Sequence, residues 1–101
     1  MMFSLEILPE AEADIVAAAQ DYEEREMGLA ARFTTEVSRA IRSLVQNALL
    51  YQVRHQARRI RWVIPQPFPY RIAYRIKGGT AQVFAVIHCA RHDRELWRRA
   101  D

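Results

Sequence analysis

Cysteine, lysine and glycine are all scarce in this chain of 101 residues: Cys89 is the only cysteine, Lys77 the only lysine, and there are three glycines and three histidines. A lone cysteine excludes an internal disulfide and a paired-thiol metal site. Three scattered histidines with one cysteine make no metal-ligand spacing, so neither metal nor cofactor is expected. No glycine-rich stretch offers a phosphate-cradling loop, and no helix-turn-helix pattern is present. No run of eighteen apolar residues suggests a transmembrane helix. The opening, Met1 to Leu8, is too short for a signal peptide and carries Glu6, so a cytoplasmic protein without a membrane role is expected. Between residues 51 and 92 there is not one aspartate or glutamate.

What is present is unevenly distributed. Half of the residues are hydrophobic, enough for one core, and the length suits a single domain spanning 1–101. Residues 1–50 carry four arginines against nine acids, a balance of −5, whereas residues 51–101 carry ten arginines and Lys77 against three acids, a balance of +8. Arginine suits bidentate contact with phosphate or carboxylate. The C-terminal half therefore faces something acidic, a nucleic acid or an acidic peptide. The plainer reading of any single arginine is a solvated face.

Periodicity gives the elements. Phe3, Leu5 and Ile7 alternate with Ser4 and Glu6 as in a strand. Pro9 fits a first helical position, with Glu10, Glu12 and Asp14 complementing the positive helix start. Ala11, Ile15, Ala18 and Tyr22 then recur at helical spacing up to a stop at Gly28. A second helix is predicted from about Leu29 to Asn47, with the stripe Leu29, Phe33, Val37, Ile41, Leu44 and Ala48. The short connection implies an antiparallel helical hairpin. Residues 51–57 show no clear period and read as loop or frayed strand. Ile60, Trp62 and Ile64 alternate with Arg59, Arg61 and Val63. Tyr70, Ile72, Tyr74 and Ile76 alternate with Arg71, Ala73 and Arg75. Gly78-Gly79 signals a hairpin turn, and the apolar run from Ala81 to Cys89 suits a central strand buried on both faces. Residues 92–100 form a short helix or a tail. The expected fold is α+β, in the order β-α-α-β-β-β, with the hairpin packed on one face of a four-stranded, mostly antiparallel sheet and a short C-terminal segment. If the apolar sets of both middle strands face the hairpin, then Arg59, Arg61, Arg71 and Arg75 share the open face of the sheet.

These residues resemble a known family. The stretch from Phe68 through Pro69, Tyr70, Arg71, Ile72, Ala73, Tyr74, Arg75 and Ile76, the glycine turn, Val83 to His88, and the trailing Arg91, Asp93, Trp97 and Arg98 are similar to toxins of the RelE/ParE superfamily. The Phe-Pro-Tyr-X-Ile-X-Tyr-Arg pattern and the acidic opening from Leu8 to Ile15 are of the ParE-like type. The resemblance covers essentially the whole chain. It implies a type II toxin–antitoxin (plasmid stabilisation) module, in which a cognate antitoxin neutralises the toxin. The antitoxin segment lies on the helical hairpin or adds to the sheet edge, and folds on binding. A toxin homodimer within a hetero-oligomer is a further option.

Two activities occur among such toxins. RelE-like members are ribosome-dependent endonucleases that cut mRNA. ParE-like members poison DNA gyrase and catalyse nothing. RNA cleavage through the 2′-hydroxyl needs a base, an acid and cations for the phosphate. The candidates are His88, Arg91 and His92. The target- or antitoxin-binding basic face would comprise Arg59, Arg61, Arg71, Arg75, Arg91 and Arg98. The plain readings stand beside these: His88 as a packed sheet histidine, His92 as the lead into a terminal turn, Cys89 as a small buried apolar residue, Tyr70 and Tyr74 as core, and Trp62 and Trp97 as packing groups. His55 has no motif around it. The lysine-rich cluster of many RelE-like nucleases is missing. The ParE-like type of the motif, together with the incomplete nuclease set, therefore implies a gyrase inhibitor that arrests growth. The mRNA endonuclease is the alternative, and an inactive, regulatory antitoxin-binding member the third option.

Overall fold

The structure, a computed structural model, describes residues 1–100. The elements are β1 (Ser4–Ile7), α1 (Pro9–Arg25), α2 (Leu29–Asn47), β2 (Val53–His55), β3 (Ile60–Val63), β4 (Tyr70–Lys77), β5 (Thr80–His88) and α3 (Arg94–Arg99). The strands form one sheet in the order β1-β5-β4-β3-β2. β1 runs parallel to β5, and every other pair is antiparallel. The sheet thus has five strands where four were expected. The extra one, β2, is a three-residue edge strand in the stretch read as loop or frayed strand, paired with β3.

Helix α1 starts with Pro9 in its first turn, where a missing N–H costs nothing, and with Glu10 and Glu12 against the positive helix end. Gly28 precedes α2 at φ 92°, a left-handed conformation that a side chain would strain. The Glu23 carboxylate reaches over this turn and accepts the Gly28 and Ala30 N–H groups at 3.0–3.1 Å, capping α2 from the preceding helix. The α2 stripe Phe33, Val37, Ile41 and Leu44 is buried. It packs with Ile72, Tyr74, Val83 and Val86 from one face of the sheet. Each fully buried large side chain there contributes about 1.5–3 kcal/mol.

The opposite face of the sheet is not open. Ile60, Ala73, Phe84, Ala85 and Ile87 form a second core there, closed by Leu96 and Ala100 at the C-terminal end. A bulge in β5 makes this possible: pairing steps from Ala73↔Ala85 to Tyr74↔Val83, so Phe84 and Ala85 both lie in the second core.

The expected common face of four arginines does not form. In β3 the register pairs Arg61 with Tyr74, Trp62 with Ala73 and Val63 with Ile72. Directly opposed residues share a face, so Arg61 and Val63 lie on the hairpin side, and Ile60 and Trp62 on the α3 side. The alternation within β4 is as expected, but β3 is turned over relative to it. A sheet covered on both faces accepts either parity of an apolar strand. Arg61 is accommodated because its guanidinium reaches the carbonyls of Leu49 and Tyr51, 3.2 and 2.6 Å away, beyond the end of α2. Beside it the buried Tyr74 hydroxyl donates to the Ala48 carbonyl at 2.6 Å. This cross-strand pair satisfies the C-cap carbonyl of α2 and two carbonyls of the turn that follows it. Arg59 is not in a strand: it occupies the β2–β3 turn at φ 57°. Cys89 lies in the turn after β5 and is exposed, contrary to the expectation of a buried residue.

Candidate functional site

Three arginines hold α3 on the sheet. Arg71 is 4% exposed. It pairs with Asp93, donates to the Arg91 carbonyl at 2.7 Å, and lies over the Trp62 ring at 5.0 Å. Arg75 donates to the Ala100 carbonyl and to Gln82 Oε1, and stacks on Phe84. Arg99 returns from α3 to the Asp14 carboxylate of α1 at 2.7 and 2.8 Å. Asp14 also accepts the Val86 N–H at 2.9 Å. Pairing of β1 with β5 ends at Val83, so Asp14 stands in for the missing strand on that stretch of the β5 edge. The sequence places Asp14 with Glu10 and Glu12 at the positive start of α1, but it lies beyond the first turn and is held by Arg99 and the β5 edge. Only its three- and four-residue spacing from Ala11 and Ala18 hinted that it faces inward.

These contacts reassign the basic residues. Arg71 and Arg75 are committed inside the protein, and Arg61 serves the end of α2. Arg91 is bound by Glu95 through two contacts of 3.0 and 2.5 Å. That pairing holds the Arg91 pKa above its ordinary value and the Glu95 carboxyl below its own. Arg59 and Arg98 are exposed.

The groups proposed for RNA cleavage are brought together only in part. His88 and Arg91 line one cleft of about 210 Å3 between α1, the end of β5 and α3, with Tyr70, Asp14, Asp21 and Glu95. The sequence offered no acid in 51–92, and the fold supplies three from α1 and α3. Two of them are already engaged, by Arg99 and by Arg91. His88 meets the Tyr70 ring edge-on at 5.1 Å, and its Nδ1 accepts the Ala90 N–H at 3.0 Å. Burial raises the Tyr70 pKa, which keeps its phenol protonated. His92 does not line this cleft: it is exposed, and its Nδ1 accepts the Arg94 N–H at 3.0 Å. Among the described residues no group of His, Cys, Asp or Glu is placed to hold a metal ion. No helix among them is long and apolar enough to cross a membrane.

A second candidate surface lies on the outer side of the helical hairpin. Ile15, Val16 and Ala19 of α1 and Ala30 and Thr34 of α2 line a shallow groove of about 350 Å3. Val16 is 56% exposed there. The groove is apolar, with Glu23 and Gln20 at its margin.

The family described as "ParE toxin of type II toxin-antitoxin system, parDE" matches residues 5–93. A search of curated proteins finds no match. Among solved structures, one described as "Chromosomal ParDE TA system from P. aeruginosa" is similar with a TM-score of 0.77 at 20% identity, over 86% of this chain and 96% of that one. At that identity the likeness speaks for the fold, and the match over residues 5–93 speaks for the family. The chain belongs to the ParE toxin family of type II toxin–antitoxin systems.

Proposed function

We propose that this protein is a growth-inhibiting toxin that acts on DNA gyrase as a non-catalytic inhibitor and is neutralised by a cognate antitoxin. The observation that carries the non-catalytic reading is the state of the acid–base candidates. Arg91 is locked to Glu95, His88 and His92 each accept a backbone N–H, and His92 stands outside the cleft that His88 and Arg91 share. A nuclease needs a base, an acid and a free cation converging on one phosphate, and the pairing of Arg91 with Glu95 and the place of His92 outside the cleft support the non-catalytic reading. The ParE family match supports gyrase as the target.

The antitoxin is assigned to the hairpin groove. An amphipathic helix that lays its apolar face between α1 and α2 would cover Val16 and Ala19, the helix-in-groove mode of recognition. Basic side chains flanking that face would suit the exposed acids Glu12 and Glu23 of α1.

The test is direct. Purified protein added to gyrase and relaxed plasmid should block supercoiling and accumulate cleaved DNA. Unimpeded supercoiling at large excess of the protein would sink the gyrase reading. Position-specific mRNA cuts in a translating extract would instead establish the endonuclease, and absence of growth arrest on expression would leave a regulatory antitoxin-binding protein.

A further inference from the structure

Helix α3 has two edges of different character. The residues at positions 91, 95 and 99 face α1, where Arg91 pairs with Glu95 and Arg99 with Asp14. At 3.6 residues per turn, Arg94, Trp97 and Arg98 fall on the solvent side and toward β2. Trp97 touches His55 of β2 at 4.5 Å between ring centroids. Arg54 of β2 is exposed and lies over Trp62 at 5.1 Å. The Trp97–His55 contact joins the edge of α3 that bears Arg94 and Arg98 to β2, which bears Arg54, with Arg59 in the adjoining β2–β3 turn. No acid comes from residues 51–92, Asp93 is held by Arg71, and Glu95, although within electrostatic reach of Arg98, is paired with Arg91 on the other edge of α3. Trp62 and Trp97 lie among these basic residues in space.

We propose that this surface binds the phosphate backbone of duplex DNA without reading sequence. The charge is of one sign and is supplied by arginine, which suits phosphate. Stacking on unpaired bases needs bare aromatic faces, and here Trp62 carries two guanidinium groups at 5.0 and 5.1 Å while Trp97 lies against His55. A duplex, with its bases stacked inside, asks only for cations. An acidic peptide would need an apolar seat as well, and the apolar groove is on the hairpin, across the sheet. The surface therefore stays open when the groove is filled. The choice of duplex DNA rests on the gyrase reading, since gyrase holds such a duplex.

The experiment measures binding of a fluorescent duplex of arbitrary sequence to the full-length protein by anisotropy across a salt series. Comparison is made between wild type, Arg94→Gln/Arg98→Gln and a control of equal charge change on α2, Arg32→Gln/Arg42→Gln. The α3 pair should weaken binding about tenfold or more at moderate salt and flatten the slope of log affinity against log salt by about 2, close to one unit per lost phosphate contact. The control should bind like wild type, and thermal melts should match. Equal weakening by the control, no wild-type binding at low salt, tighter binding of single-stranded DNA or duplex RNA, or displacement of the duplex by polyglutamate would each overturn the proposal. Supercoiling assays on the same proteins separate the two readings. Gyrase inhibition without duplex binding counts against this surface alone, and duplex binding without gyrase inhibition counts against the gyrase reading alone.

Discussion

Arg71 and Asp93, 22 residues apart in sequence, are joined by an ion pair that runs from the middle of the sheet to the residue preceding α3. The guanidinium is buried while the carboxylate is half exposed, so the pair is more than a surface bridge. Together with the Arg91 carbonyl it turns β4 into the anchor of the whole C-terminal segment. A side chain that reads from sequence as part of a binding face is a structural clamp.

Replacing Arg71 should therefore cost stability and not only charge. Arg71→Met keeps the apolar stem but leaves the Arg91 carbonyl and Asp93 without their donor. We expect a loss of about 2–3 kcal/mol in urea unfolding, against about 1 kcal/mol for Asp93→Asn, whose carboxylate is already half in water. Hydrogen exchange should become faster in α3 than in α2. An unchanged unfolding midpoint for Arg71→Met would show that α3 is held by its apolar contacts alone.

Tyr74 makes a prediction at alkaline pH. Burial pushes its pKa up from 10.0 to about 12. A folded-state pKa above the unfolded one means that the contribution is fully present below pH 10 and is lost as pH rises from there through about 12. Wild type should lose stability over that interval. Tyr74→Phe should lose less there, while being less stable at pH 7 by about 1 kcal/mol for the missing bond to the Ala48 carbonyl. Parallel stability curves for the two proteins between pH 9 and 12 would contradict the assignment.

Glu23 works in the opposite direction. The Gly28 and Ala30 N–H groups hold its pKa below the ordinary 4.5. Its contribution is therefore present above that value and disappears as pH falls through the lowered folded value. The Tm of Glu23→Gln should lie below that of wild type at pH 7, and the gap should close in strong acid. A gap that persists at pH 2 would mean that the substitution acts by some route other than the charge on the cap.

The hairpin groove can be tested without disturbing the fold. Val16→Glu places a charge at an exposed apolar position and should leave the melting temperature nearly unchanged. Antitoxin binding, followed by titration calorimetry, should weaken at least tenfold, because a desolvated charge in an apolar contact is costly. Wild-type affinity for antitoxin in this variant would move the docking site elsewhere.

Growth arrest should survive loss of the histidines. His88→Gln and His92→Ala are expected to arrest cells as wild type does, with DNA synthesis falling before protein synthesis. If either substitution abolishes arrest while the protein still folds, the non-catalytic reading is wrong and the cleft around His88 becomes the site to pursue.

The sequence by itself determined the elements whose signals are local. The α2 stripe from Phe33 to Leu44, Pro9 at the start of α1, the Gly78-Gly79 turn and the alternation of Tyr70, Ile72, Tyr74 and Ile76 all follow from helical and strand periods and from turn chemistry, and all are found. The charge split between the halves was equally legible. Tertiary structure alone decided which way β3 faces, because both parities of that strand are acceptable once α3 covers the second face of the sheet, and only pairing with β4 selects one. It also decided the fates of the arginines. Arg61, Arg71 and Arg75 are polar in any sequence pattern, but their partners are the carbonyls of Leu49, Arg91 and Ala100 and the Asp93 carboxylate, each ten or more residues away along the chain. The short strand β2 and the carboxylate of Asp14 on the β5 edge belong to the same class. Each depends on a hydrogen-bonding partner outside its own segment, the neighbouring β3 for β2 and the remote Val86 for Asp14, and no local period records that.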